Sequence, residues 1–400
     1  MSREAHAAAR SREIDALRGA AAIMVVAFHG NSLVAASTSG GLDPVLALRH
    51  GLDLGVELFF VVSGYLVGGP FIRAMRDGRH PARLADYAMR RAARILPAYW
   101  LLLLATLALE GVAAGDLPRV ALHAVLLHGV VPGQTFQLVD LAWTLSVEAL
   151  FYVAMPLAAL AVLRLRPRGT GRRPLLVGIG VLWLGSAVLS AAVASRWGTS
   201  PGALLVVNGL PGCIGLFAPG MALAAFEGSP GAVPLSTSRR YRHGLVGAGL
   251  ALVAMSMVLA ERGSLDRSAR NAAASIGFGL LLAAVVTSAG QLRARLRPVV
   301  TPLAAAGTVS YGIYLWHSLV ATIIRAAGVT VGAGGHAQLA WLAATALLLL
   351  PTLVIAILSW TLVEKPVIER AAASIRARRD RRAPSLPSAS ATAAAPAPLR

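Results

Sequence analysis

The sequence predicts an all-α, polytopic membrane helix bundle of about ten transmembrane helices, with N- and C-termini cytoplasmic. Three observations carry this expectation. Of 400 residues, 56% are hydrophobic and 14% charged, against roughly 25% charged in an average soluble domain. The apolar residues gather in runs close to the ~20 residues that a helix needs to cross a bilayer. The basic residues are distributed unequally between alternate loops, as the positive-inside rule requires.

In chain order the apolar runs lie near 14–37, 51–73, 94–113, 141–164, 174–195, 203–226, 243–260, 271–290, 303–327 and 338–363. With the N-terminus inside, cytoplasmic segments hold 30 of the 37 Lys and Arg residues, and the opposite side holds 7. Adding or removing one span would invert every later loop and destroy that asymmetry. A shorter apolar stretch at 119–131, with His123 and His128, is too short to span and reads as interfacial or re-entrant. The first 13 residues form a polar cytoplasmic segment that is too long and too polar for a cleaved signal peptide. Residues 14–366 form the transmembrane domain. Residues 367–400 form a tail, basic at first and then Ala/Pro/Ser-rich from Ala383, where nothing is available to bury and disorder is expected. No internal repeat is visible, which argues against an inverted-repeat transporter.

The formal net charge of +19 raises a nucleic-acid reading. Nucleic-acid binders cluster their basic residues on a soluble face, whereas here they sit between apolar runs, so the expected partner is the lipid bilayer and no nucleic acid. Cys213 is the single cysteine. It offers neither an internal disulfide nor a cysteine metal site, and no metal or bound cofactor is expected.

Ionisable groups within spans are costly and are functional candidates. His29 lies eleven residues after Arg18, close to three helical turns, so both project from one face about 16 Å apart. The alternative is a hydrogen-bonded packing histidine with an ordinary boundary arginine. The second span reads GVELFFVVSGYL, with Glu57 near one end and Ser63 and Gly64 in mid-span, where small residues permit close helix approach. Packing alone accounts for Ser63, but less readily for Glu57. The fourth span opens LAWTLSVEALFYVAMP, with Ser146, Glu148 and Tyr152. The ninth carries Tyr311, Tyr314 and His317; its tyrosines could be interfacial belt residues. At 1.5 Å per residue, Glu57, Glu148, His29 and His317 all fall about 9–15 Å below the outer boundary. A histidine among carboxylates suits general-base chemistry. On the opposite side RRAARILP places Arg90, Arg91 and Arg94 at helical spacing, and guanidinium forks suit phosphate; positive-inside anchoring is the alternative for any one of them.

These motifs together resemble the acyltransferase 3 family over about Arg12–Pro366. Its signature of an arginine, ten residues and a histidine is met by Arg18 and His29 in REIDALRGAAAIMVVAFH. GVELFFVVSGYL, which includes Tyr65, is similar to its second-span motif, RRAARILPAYW to its basic motif and WTLSVEALFYVAMP to its serine–glutamate–tyrosine motif. SYGIYLWH and the closing Glu364-Lys365-Pro366 complete the set. The resemblance implies a multi-pass enzyme of a bacterial inner or plasma membrane that moves an acyl group, usually acetyl from acetyl-CoA as co-substrate, to a hydroxyl. The implied acceptors are carbohydrates, glycolipids or macrolide-like metabolites. By the same resemblance His29 is the catalytic histidine, Ser146 and Glu148 share its site, and Arg18, Arg91 and Arg94 support donor binding or the active fold. His29 is the expected general base, with Glu57 and His317 placed beside it by depth and His317 the alternative base. Some members add a hydrolase-like C-terminal domain; a relay here would need a separate extracytoplasmic transferase partner. A secondary transporter or flippase remains the competing class, and a non-catalytic scaffold the third.

Overall fold

The computed structural model describes residues 3–34, 44–81, 83–111, 113–227, 238–261, 267–287, 296–332 and 336–381. Among these the architecture is all-helical, with one isolated bridge, Val34 to Val331, in place of any strand. Each of the ten apolar runs is a helix or a helix pair. Together with a short helix in the 119–131 stretch, α4 (Leu117–Ala124), they are α1 (Arg3–Gly30), α2 (Leu48–Asp77), α3 (Leu84–Glu110), α5 (Ala142–Leu165), α6 (Arg172–Trp197), α7 (Pro201–Phe226), α8 (Arg239–Glu261), α9 (Arg267–Thr287), the pair α10 (Arg297–Thr308) and α11 (Ser310–Ala326), and α12 (Ala337–Asp380). Eight of the described helices are long and apolar enough to cross a membrane, and nine if α10 and α11, bent by 72° at their junction, form one span. The remaining apolar run is that of α1, interrupted by Glu13, Asp15 and Arg18, which packs inside the bundle against α2, α10, α11 and α12. The expected disordered segment from Ala383 lies outside the described residues, and the stretch before it, Lys365–Asp380, is helical.

The bundle is held by close packing, since lipid supplies no hydrophobic drive between helices. Its outer faces are apolar, with Leu104 and Leu350 each 63% exposed. Inside, Phe217 of α7 stacks on Phe60 of α2 and Phe151 of α5, with ring centroids 4.7 and 4.0 Å apart. Two crossings require glycine. A Cβ at Gly64 would strike the Phe217 carbonyl, and one at Gly220 the Val61 carbonyl, so α2 and α7 touch backbone to backbone. Gly19 and Gly307 do the same for α1 and α10, against Leu303 and Asp15. At Gly64–Gly68 α2 widens into a π turn, a local break that often accompanies a functional site.

The 119–131 stretch does not span. α4 stops at Ala124, and the chain folds back along α3 and α5. Tyr99 donates to the His123 carbonyl at 3.0 Å, Trp100 to the Ala124 carbonyl at 2.9 Å and Ser146 to the Leu126 carbonyl at 2.8 Å. Leu126 takes φ 59° there, an unfavourable left-handed conformation for a leucine. His123 and His128 are fully buried and stack at 4.0 Å, nearly parallel. Burial pushes His123 down to about 3, helped by the neighbouring His128, and His128 down to about 4.

Candidate active site

Two cavities lie in series within the bundle. The first, of about 280 Å3, takes Val25, Phe28 and His29 from α1, Asp53, Val56 and Glu57 from α2, Tyr314 and His317 from α11, and further walls from α5, α6, α7 and α9. The second, of about 430 Å3, is lined by Arg18, Ser63, Arg91, Arg94, Thr144, Glu148, Tyr152 and Tyr311 among others. Val56 and Tyr314 line both. One face of α1 therefore looks into the two cavities in turn, with Arg18 in one and His29 in the other.

In the histidine cavity, the His29 ring nitrogen Nδ1 lies 2.8 Å from the Val25 carbonyl. A carbonyl only accepts, so Nδ1 carries a proton, and in the neutral ring the lone pair is then on Nε2. The expected carboxylate partner for this imidazole is thus replaced by backbone one turn back. The His317 ring stands 4.7 Å from that of His29, centroid to centroid, and its own Nδ1 meets the Tyr314 carbonyl at 2.6 Å. Glu57 is buried, and its carboxyl joins the same cavity wall. One turn before it, Asp53 receives two bonds from Arg270 of α9, at 3.2 and 2.6 Å.

The arginine cavity is organised by Glu148. Ser63 and Tyr152 both donate to its Oε1, at 2.7 and 2.6 Å. Arg91 lies over the rings of Tyr152 and Tyr87, at 5.6 and 5.9 Å, and Arg94 over Trp360 at 5.8 Å. Thr144, Glu148 and Tyr152 follow at four-residue intervals, so one face of α5 serves this cavity.

Glu148 and Glu57 are consequently not level. Glu148 bonds Ser63, which lies six residues beyond Glu57, or about 9 Å along the axis. The expected common depth band fails because α5 starts inside the bundle, behind the folded-back segment that ends at Ala142, which is fully buried. Ser146, two residues from Glu148, points about 200° away around the helix. It lines neither cavity and anchors the Leu126 carbonyl instead. Tyr65 donates to Glu227 at 2.9 Å and lies outside both cavities, as do Gly64 and Arg90. The tyrosines of α11 are not belt residues: Tyr314 reaches Thr144 at 2.6 Å and Tyr311 the Ile95 carbonyl at 2.8 Å.

Sequence reasoning passed over Asp53, Arg270, Val56 and Thr144. Arg270 left a signal, being one of the few arginines on the sparsely charged side. A costly charge there invites a partner, and Asp53, at i, i+4 from Glu57, is that partner.

The profile of the acyltransferase domain family matches residues 11–360, which spans every residue of both cavities. The chain is 28% identical over 335 residues to the exopolysaccharide production protein ExoZ of Rhizobium meliloti, covering 81% of this chain and 91% of that protein. It is 24% identical over 336 residues to the peptidoglycan O-acetyltransferase OatA of Listeria monocytogenes, covering 78% of this chain but only 49% of that protein, about half its length. No solved structure matches the chain. With the Arg18–His29 helix, Glu148 and Tyr152 in one cavity and the family profile in agreement, the chain belongs to the acyltransferase 3 family of membrane acyltransferases.

Proposed function

We propose that the chain is a multi-pass O-acyltransferase of a bacterial plasma membrane, with both termini cytoplasmic, that moves an acetyl group from acetyl-CoA to a carbohydrate hydroxyl. The observation that carries this reading is the pair of cavities in series, arginine-lined then histidine-lined, meeting at Val56 and Tyr314. Arg18, Arg91 and Arg94 supply fixed cations for the phosphates of the donor, and the thin pantetheine arm reaches past the shared wall toward His29. The charge asymmetry of the loops supports a cytoplasmic position for the arginine cavity, the side where acyl-CoA is found. ExoZ and OatA, named for exopolysaccharide and peptidoglycan, favour a glycan acceptor.

In the proposed reaction, His29 Nε2 takes the proton of the acceptor hydroxyl as its oxygen attacks the thioester carbonyl. The tetrahedral centre collapses, the C–S bond breaks, and the departing thiolate takes the proton back from His29. The product ester and free CoA leave from opposite sides. His317, ring to ring with His29, limits the positions its imidazole can take. A separate extracytoplasmic partner would carry the acyl group onward if the glycan cannot enter the bundle.

The test is release of free CoA by purified protein in nanodiscs given labelled acetyl-CoA, with and without a glycan acceptor. Acceptor-dependent release with label in the glycan supports the reading. A protein that moves substrate across liposomes without consuming the thioester is a transporter, and the reading fails.

A further inference from the structure

Val56 and Tyr314 are the two residues that line both cavities. A molecule reaching from the arginines to His29 would have to cross this shared wall, the neck. The two walls differ in how far they can yield. The Tyr314 hydroxyl is bonded to Thr144 Oγ1 at 2.6 Å and lies 3.2 Å from the Leu141 carbonyl, which Thr144 also reaches at 3.0 Å. Its ring is packed edge-on to Phe59, with centroids 5.8 Å apart, and tilted against His317 at 5.7 Å. Its backbone carbonyl is held by His317. This side chain is fixed at both ends and on both flanks. Val56 lines both cavities from α2, between Gly55 and Glu57, and offers only a β-branched aliphatic group.

We infer that Val56, set against the immobilised Tyr314, is a shape filter that admits unbranched acyl groups to His29 and turns back branched ones. The inference rests on the donor reading above. An acyl-CoA whose phosphates sit at Arg18, Arg91 and Arg94 presents its acyl group as the leading tip of the pantetheine arm, so the acyl group is the first part to meet the neck. A linear chain is no wider than the arm that follows it. A branch at the second or third carbon adds a methyl group across the direction of travel, where Tyr314 cannot retreat. Misfit of one methyl group in a tight apolar passage discriminates by about 10–200-fold.

The experiment measures dissociation constants of the full-length protein in nanodiscs for CoA, S-butyl-CoA and its branched isomer S-isobutyl-CoA, the last two being unreactive thioethers that need no acceptor. Three proteins are compared: the native sequence, Val56→Ala and the nearly isosteric Val56→Thr. In the native protein S-butyl-CoA binds at least about tenfold tighter than S-isobutyl-CoA. Val56→Ala brings the two within about threefold, while Val56→Thr keeps the native ratio and shows that width, not loss of fold, is responsible. Equal ratios in the native protein and Val56→Ala, with CoA itself bound, overturn the filter and leave the donor reading standing. Failure of the native protein to bind CoA at all overturns the donor reading, and the filter with it.

Discussion

Glu148→Gln gives the sharpest test of how the arginine cavity is held. Two hydroxyls, from Ser63 and Tyr152, converge on one carboxylate oxygen at 2.7 and 2.6 Å, in or near the range of about 2.5–2.7 Å typical of O–H bonds to an ionised acceptor. Such bonds contribute about 1.5–3 kcal/mol, against about 0.5–1.5 for neutral ones. Glutamine keeps an acceptor oxygen but removes the charge, so each bond weakens by about 1 kcal/mol and the pair by about 2. Alanine leaves both hydroxyls without their acceptor, at about 1–3 kcal/mol each. Within a bilayer the reference state also finds partners, and measured couplings average about 0.6 kcal/mol with a maximum near 1.7. Charge places this pair toward the upper end.

The assay is a double-mutant cycle of Glu148→Gln and Ser63→Ala, with unfolding followed by circular dichroism as SDS displaces mild detergent. A coupling of about 1–1.7 kcal/mol is expected. Additivity within about 0.3–0.5 kcal/mol would refute the claim that the carboxylate charge holds this junction of α2 and α5.

His29→Ala should lower acyl transfer by about 10²–10⁴-fold at unchanged folding, the usual contribution of a general base; His317→Ala, acting only through the neighbouring ring, should cost at least tenfold less in kcat. Gly220→Ala forces its new Cβ into the Val61 carbonyl and should destabilise the bundle by about 1–3 kcal/mol, as overpacking does, measured in the same SDS titration. The stacked pair His123 and His128 predicts a pH dependence. Burial holds the two rings neutral, at about 3 and about 4, whereas an unfolded histidine titrates near 6.5. The unfolded state therefore binds more protons between those limits, so stability is fully present above pH 6.5 and is lost as pH falls toward 4. The slope approaches about 1.4 kcal/mol per pH unit for each ring. Unfolding midpoints at pH 7.5 and pH 5 should differ in the native protein and converge in a His123→Phe, His128→Phe double variant; a pH-independent native midpoint would sink this account.

The helices were legible because their signal is one-dimensional. Run length depends on neither packing nor partners, and each apolar run returned as a helix or a helix pair. Depth was less legible. Counting 1.5 Å per residue from a span boundary works only where the boundary coincides with the membrane surface, and α5 begins behind a segment that folds back into the bundle. That error put Glu148 beside His29 instead of beside Ser63. Faces were legible where the interval was explicit, as for Arg18 and His29, and not where two motif residues sat two apart, as for Ser146 and Glu148. Partners across the bundle, such as Asp53 with Arg270 or Tyr314 with Thr144, leave no trace in local sequence beyond the cost of a charge in an unexpected place.

The placement of Arg18 and His29 on one helix has a mechanical consequence. On the proposed reading, a donor held by its phosphates at Arg18 and attacked at its thioester beside His29 would span a fixed distance, which α1 sets at about 16 Å. The helix cannot slide to accommodate a different donor, because Gly19 and Gly307 bring α1 and α10 into backbone contact and Trp341 of α12 bonds the Ala27 carbonyl at 2.8 Å. Nor can it bend readily at the base, where the His29 imidazole bonds back to Val25. With the reach fixed at both ends, the arm that follows the acyl group is common to all donors and carries no discrimination. On that reading, selectivity among acyl groups would arise where the acyl tip passes a wall, and among the described residues Val56 and Tyr314 line both cavities.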